Sequence, residues 1–293
     1  MRRLIVNADD FGLTQGVNRA VAELHRHGVL TSATLMARAP ATDEAIRIAL
    51  ETPSLAVGCH VVLVDGEPVL SPREIPTLAS RKTGLFHPAL GTFLRRALAG
   101  SIHAAEIEAE ATAQIALLQN RGLRLTHIDT HKHVHMFPIV LRPVLRAAHA
   151  AGIRAVRNPF EPAWSRRATP NAPLFRRIEV ALLRRLRPAF QRIVAEEGFA
   201  TTDGAIGVLA TGTLDATTVN SLLKQMPPGT WELVTHPGCS DHDLARIRTR
   251  LKQSRETERD ALKSIEGMAG IELIGFSMLP SKSRTGVADS QIS

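Results

Sequence analysis

The chain has 293 residues, 44% of them apolar, which is enough to bury a large core and a normal size for a single α/β barrel. Lys and Arg outnumber Asp and Glu by 36 to 28, a net charge of +8, but no helix-turn-helix, zinc-finger or RNA-recognition signature is present and aromatics are only 4%, so nucleic acid is not expected as a partner. Two cysteines, Cys59 and Cys239, exclude a disulfide framework and a CxxC zinc site, and no run of 18 apolar residues could span a membrane, so a cytoplasmic protein is expected.

The apolar run after Met1-Arg2-Arg3 is too short for a secretory signal, so Leu4–Ala8 reads as a first strand that ends at Asp9-Asp10. Gln15–His27 carries Val17, Ala20, Val21 and Leu24 at helical spacing and stops at Gly28. Strands are expected at Ala33–Ala37 and Leu55–Val64, the latter bearing His60. Residues 65–100 are rich in Pro and Gly, and so long a loop inside a domain points to a lid or binding loop. After a helix over Ala104–Asn120, a fourth strand is expected at Leu123–Ile128. His127, Asp129, His131, His133 and His135 run off it at alternate positions, on one side if the chain stays extended. Ile153–Val156 is expected as a fifth strand ending at Arg157. Residues 158–204 form a second insertion that holds much of the basic excess, between Arg166 and Arg192. Ala205–Leu209, Trp231–Thr235 and Ile271–Phe276 complete eight strands, with His236 in a Thr-His-Pro-Gly turn after the seventh. Helices are expected over Thr217–Gln225 and Asp243–Met268, and a polar, disordered tail over 279–293.

Near-continuous apolar strands that alternate with helices suit a parallel sheet covered on both faces. The fold class is therefore α/β, an irregular (β/α) barrel forming one domain over 1–278, with a doubly wound open sheet as the alternative. In a barrel the C-terminal strand ends share one rim, which brings Asp9, Asp10, His60, the histidine run, Arg157 and His236 together. Clustered imidazoles with a carboxylate suit a divalent metal such as Zn2+. Two adjacent acids can divide roles, one binding metal and one moving protons, although Asp9-Asp10 would also serve as a helix cap. Arg157 would orient Asp9, hold substrate, or lie on the surface.

Asn7-Ala8-Asp9-Asp10-Phe11-Gly12, Gly58-Cys59-His60, the run His127–His135 and Thr235-His236-Pro237-Gly238, in this order, make the sequence resemble the YdjC-like carbohydrate deacetylase family (ChbG-like) from Arg3 to about Phe276. The resemblance implies a barrel like that of the NodB-like polysaccharide deacetylases, and one divalent ion, Zn2+ or Mg2+, on Asp10, His60 and His131. It makes Asp9 the base and His236 the acid, and leaves His127, Asp129, His133 and His135 to support the ligands or touch substrate, with His127 as the alternative ligand. The stretches Leu63–Leu70 and Glu74-Ile75-Pro76 look most like the hopanoid-biosynthesis branch, HpnK. That implies N-acetyl removal from an N-acetylglucosaminyl hopanoid lipid; a soluble chitooligosaccharide deacetylase and a metal phosphoesterase are the alternatives.

Residues 174–187 are amphipathic, with Phe175, Ile178, Leu182, Leu183 and Leu186 on one side and arginines on the other, and Pro188 should end or kink the helix. Such a helix either packs its apolar side inward or makes a peripheral contact with the inner membrane face, with Phe160 and Trp164 forming an apolar way in beside the rim. A homodimer is left open.

Overall fold

Parallel strands joined by helical returns make up the computed structural model, which describes residues 1–170, 172–247, 249–265 and 268–280. The elements run β1 (Arg2–Phe11), α1 (Gln15–Arg26), β2 (Ser32–Leu35), α2 (Thr42–Glu51), β3 (Ala56–Val61), α3 (Leu90–Leu98), α4 (Ala104–Asn120), β4 (Ile128–Thr130) and α5 (Pro138–Ala150). They continue with α6 (Ser165–Ala168), α7 (Leu174–Leu183), α8 (Arg187–Glu196), β5 (Gly204–Ile206), α9 (Ala216–Gln225), β6 (Gly229–Thr235), α10 (His242–Arg246), α11 (Ser254–Lys263) and β7 (Ile271–Leu273).

The strands pair in the order β4-β3-β2-β1-β6-β5, and every ladder is parallel. The expected fifth strand is present only as backbone bridges, but these join the two ends of the sheet. Ile128 N donates to Ala155 O and Arg157 N to Ile128 O, while Val156 N donates to Ala200 O, four residues before β5. The sheet thus curls into an irregular barrel. β7 lies outside the ring order: Arg2–Leu4 pair with it on the edge of β1 that Asn7–Phe11 give to β2.

The two-residue period of β1 explains what fills the barrel. Leu4, Val6 and Ala8 face the helices and join the main core with Val17, Val21 and Leu24 of α1. Ile5 faces inward, in a separate cluster with Ala155, Ala200, Ile274 and Phe276. The next inward residues, Asn7 and Asp9, are polar and buried. The interior is therefore apolar at the N-terminal end of the strands and polar toward the rim. Phe276 closes the apolar end and stacks on His127 with ring centroids 3.8 Å apart. Only a glycine at 58 leaves room for that ring, since a Cβ there would lie 2.5 Å from it.

Several expectations change in detail. Leu123 and Leu125 are buried, but the fourth strand begins only at Ile128. The expected helix over Asp243–Met268 is two helices, α10 and α11. Residues 65–100 are not a bare loop: they include α3 and bury Ile75, Leu78, Phe86 and Phe93, and the Glu110 carboxylate of α4 accepts from Val69 N and Leu70 N at 2.8 and 3.0 Å. Leu279, the first residue of the expected tail, packs beside the Phe276 cluster, and 281–293 lie outside the described residues.

The 174–187 stretch breaks into α7 and a short 3-10 turn before Pro188, which occupies the first turn of α8 where its missing N–H costs nothing. Leu183 and Leu186 pack against the core, but Phe175, Ile178 and Leu182 point to solvent. Phe160 and Trp164 do not line an apolar way in. Phe160 is buried against Phe190, and Trp164 is half-buried edge-on to Trp231. Among the described residues no helix is long and apolar enough to cross a membrane.

Candidate metal centre

At the end of β1 a regular strand would send Asp9 and Asp10 to opposite faces. Instead Asp10 adopts φ 62°, a left-handed conformation that Asp tolerates better than most residues, and the register with β2 shifts between Ala8 and Phe11. Both carboxylates therefore open toward the rim, with different partners. Asp9 Oδ2 and Oδ1 accept from the Arg157 guanidinium at 2.8 and 2.6 Å, and Asn7 Nδ2 donates to Oδ1 at 2.9 Å. Asp10 Oδ2 accepts from Arg255 at 2.5 Å. Burial would raise both pKa values, but Arg157 holds Asp9 below its ordinary value, and Arg255 with His131 and His60 holds Asp10 well below.

The other oxygen of Asp10, Oδ1, is buried and has no hydrogen-bond partner. It lies 3.5 Å from His60 Nε2 and 3.3 Å from His131 Nδ1, and these two nitrogens are 3.3 Å apart. The far side of the His60 ring is fixed, because Nδ1 donates to Asp129 Oδ1 at 2.7 Å. That bond sets the tautomer that leaves Nε2 facing the triangle. Burial opposes a charge on His60, yet Asp129, which accepts its Nδ1 proton, and the nearby Asp10 carboxylate lift its pKa to about 10, a sign of how negative the site is. His131 is the accessible corner, with 20% of its side chain exposed.

Two groups of donor atoms are close enough to share an ion: Asp10, His60 and His131, and Asp9, His60 and Asp129. The first fits, with an orphaned oxygen, two imidazole nitrogens and an exposed corner. The second does not, because Arg157 clasps both Asp9 and Asp129, and Asp129 already holds His60. The buried acids of the centre, Asp9, Asp10, Asp129, Glu232 and Glu258, outnumber the buried guanidiniums, which among the described residues are Arg157 and Arg255.

His236 follows β6 and sits across from the triangle, with Nε2 3.8 Å from Asp9 Oδ2 and Nδ1 3.8 Å from Glu258 Oε2. Its backbone N–H donates to Glu258 at 2.6 Å. Burial pushes the His236 pKa down, but the Glu258 carboxylate, with Asp9 and Asp10, outweighs this and raises it.

The extended histidine run stops at Thr130. Lys132 and His133 adopt φ 58° and 53°, and the chain turns into a 3-10 helix over His131–Met136. His131 is thereby kept at the triangle while its neighbours go elsewhere. His127 lies near the barrel floor and outside either donor group, and burial pushes its pKa down to about 3. The His135 ring pairs with Thr130 Oγ1 and meets Arg157 O. His133 is half-buried with its Nδ1 unpartnered. Arg157 has no accessible surface, and besides Asp9 and Asp129 it donates to Glu232 at 2.7 Å.

Arg255, Glu258 and Glu232 belong to the centre and were not anticipated. Arg255 and Glu258 stand one turn apart on the face of α11 that continues with buried Ala261 and Leu262. Charged residues on the buried stripe of a helix are the signal that marks them. Glu232 carries the same signal, as one acid among Trp231, Leu233 and Val234 of β6.

Residues 3–271 match the family of YdjC-like proteins. A carbohydrate deacetylase of Thermoanaerobacter pseudethanolicus is 28% identical over 265 residues, 89% of this chain and 91% of that protein. One from Brevibacillus brevis is 45% identical over 148 residues; that match spans only about half of each, 50% of this chain and 55% of the relative. Among solved structures, an Enterococcus faecalis protein provisionally described as a cellobiose-phosphate cleavage protein superposes with a TM-score of 0.74 at 25% identity, over 94% of this chain and 97% of that one. With a family match over nearly its whole described length, the chain belongs to the YdjC-like proteins.

Proposed function

We propose that the chain is a metal-dependent carbohydrate deacetylase that hydrolyses the acetamide of an N-acetylglucosamine-containing substrate. The observation that carries this reading is the Asp10–His60–His131 triangle, with its orphaned Oδ1, set beside Asp9 and His236. The names of the relatives, carbohydrate deacetylases, support a sugar amide as the substrate. A divalent ion, Zn2+ or Mg2+, on Asp10, His60 and His131 would supply Lewis acidity to the acetyl carbonyl and lower the pKa of a water. Asp9 takes the proton of the attacking water. Arg157 and Asn7 fix its oxygens, and because Arg157 keeps it ionised it is a ready but weak base. His236, kept protonated toward higher pH by Glu258, delivers a proton to the departing amine.

Within this class our reading is an N-acetylglucosaminyl hopanoid lipid, supported by the resemblance of residues 63–76 and compatible with the exposed apolar side chains of α7; a soluble chitooligosaccharide is the alternative. A two-metal phosphoesterase is disfavoured, because the second donor group is taken up by Arg157. The test is acetate release from chitooligosaccharides and from an N-acetylglucosaminyl lipid, using chelator-stripped protein with Zn2+ or Mg2+ restored. Release that depends on the restored ion, and is faster from the lipid, is expected. Release from neither substrate overturns the deacetylase reading, and release from the soluble sugar alone overturns the lipid assignment.

A further inference from the structure

α7 is amphipathic in the inverted sense. Leu174, Phe175, Ile178 and Leu182 fall within about 100° of arc on a wheel of 100° per residue, and they are 73%, 69%, 52% and 53% exposed. The opposite side of the helix holds Val180, buried against Ala172 and Leu209. Arg176 and Arg177 are drawn to that side as well, donating to the carbonyls of Val208, Thr169 and Pro170. A helix with its arginines tied down and its large apolar side chains in water presents a contiguous apolar surface, which in a soluble domain marks a contact site.

Next to this stripe lies a hollow of about 460 Å3 lined by Arg166, Arg184, Arg185 and Arg187, with Ala181 and Pro188 between them. Among the described residues none of the four forms an ion pair. Four guanidiniums around one hollow repel each other, a cost that an anion with several oxygens would remove through charge-assisted hydrogen bonds. The two features are continuous, since Ala181 lies on the exposed side of α7 beside Leu182. The first turns of α7 also stand at the C-terminal side of the barrel, because Arg176 contacts Val208 and Val180 contacts Leu209, just beyond the end of β5.

We propose that the α7 stripe and the four-arginine hollow form one docking surface for an anionic phospholipid membrane, with headgroup phosphates in the hollow and Phe175, Ile178 and Leu182 in the acyl boundary. The charge selects this occupant. A second copy of the chain would bring four more unpaired arginines to the same face, whereas an anionic bilayer supplies both the phosphate and the apolar layer. The surface goes beyond the deacetylase reading and does not depend on it, because it is argued without any residue of the metal centre.

The test is co-sedimentation of the full chain with vesicles of phosphatidylcholine alone and of phosphatidylcholine mixed with phosphatidylglycerol. Binding to the mixed vesicles only is expected, weakened by raising salt from about 0.1 to 0.5 M as the Debye length shortens. Arg184→Glu with Arg185→Glu, and separately Phe175→Ser with Ile178→Ser, should each lower partitioning roughly tenfold or more, with circular dichroism and thermal midpoint unchanged to show that the fold persists. Equal binding to neutral vesicles, no binding to either, or variants that bind like the parent chain would overturn the proposal. So would saturable binding of inorganic phosphate without vesicle binding, which would assign the hollow to a free anion, or a dimer in solution that Ile178→Ser dissociates, which would assign the stripe to a second copy.

Discussion

Asp9 and Asp10 are sequence neighbours whose surroundings separate them. Asp9 has both oxygens engaged by Arg157, while Asp10 spends one on Arg255 and leaves the other orphaned between two imidazoles. Asp9→Asn should therefore retain about one divalent ion per chain and lose acetate release by roughly a hundredfold or more, the scale of a missing general base. Asp10→Asn should lose the ion itself. Elemental analysis of both variants beside their rates checks this, and equal loss of metal would show that Asp9 is a ligand. The same measurement separates the histidines: His131→Ala should lose the ion, and His127→Ala should keep it, since His127 stacks on Phe276 and belongs to neither group of donor atoms. The acids and imidazoles of the centre were visible in the sequence because they stand at strand ends. Arg157 and Asp129 were visible for the same reason, but Arg255 was not: it is 245 residues from Asp10, and nothing local in either segment predicts that they meet.

The elements were legible where a short-range pattern decided them. α1 appears almost as its apolar spacing implies, because Thr14 caps it by accepting from Val17 N and His27 ends it. The fifth stave of the barrel was legible as an apolar run but not in its pairing, which consists of a few backbone bonds on either side of Ala155 and Val156. The condition that the histidine run stay extended holds only to Thr130, because alternation alone does not reveal the left-handed pair Lys132-His133. α11 was lost inside a longer expected helix, although it is the element that serves both halves of the site through Arg255 and Glu258. This gives an element-level prediction. The Glu258 carboxylate raises the His236 pKa, so Glu258→Gln should let it fall and shorten the pH range over which His236 carries its proton. The alkaline limb of kcat/KM should move to lower pH, with bound metal unchanged. A limb that stays in place would mean that His236 is not the acid, or that Glu258 serves only its backbone N–H.

At the scale of the whole molecule, the barrel interior is charged where most cores are apolar, and stability should follow that charge with pH. Asp9, Asp10 and Asp129 are held below their ordinary values by Arg157, Arg255 and the neighbouring imidazoles against the opposing effect of burial. Groups depressed in this way bind protons less tightly when folded. Their contribution is full above the unfolded carboxylate pKa of about 4 and is lost as pH falls through the lower folded values. Glu232 behaves in the opposite way: burial pushes it up to about 7 despite its contact with Arg157, because Asp9 and Asp129 already share that guanidinium. A carboxylate raised on folding contributes most below about pH 4 and progressively less as pH climbs from there toward the folded value. The thermal midpoint of chelator-treated protein should therefore drop steeply below about pH 4, and between about pH 4 and 7 the loss from Glu232 opposes the gain from buried His127 and His135, whose rings are held neutral on folding. Chelation matters here, because an ion bound only to the folded chain would add stability of its own. Glu232→Gln removes the ionisation while its amide oxygen can still accept from Arg157 and its amide nitrogen occupies the place of the unpartnered Oε2. Relative to the parent, the variant should gain thermal midpoint progressively from about pH 4 to 7, while the acid limb remains. If the parent and Glu232→Gln profiles run parallel through pH 4 to 7, Glu232 is ionised throughout, and Arg157 serves three full carboxylate charges at once.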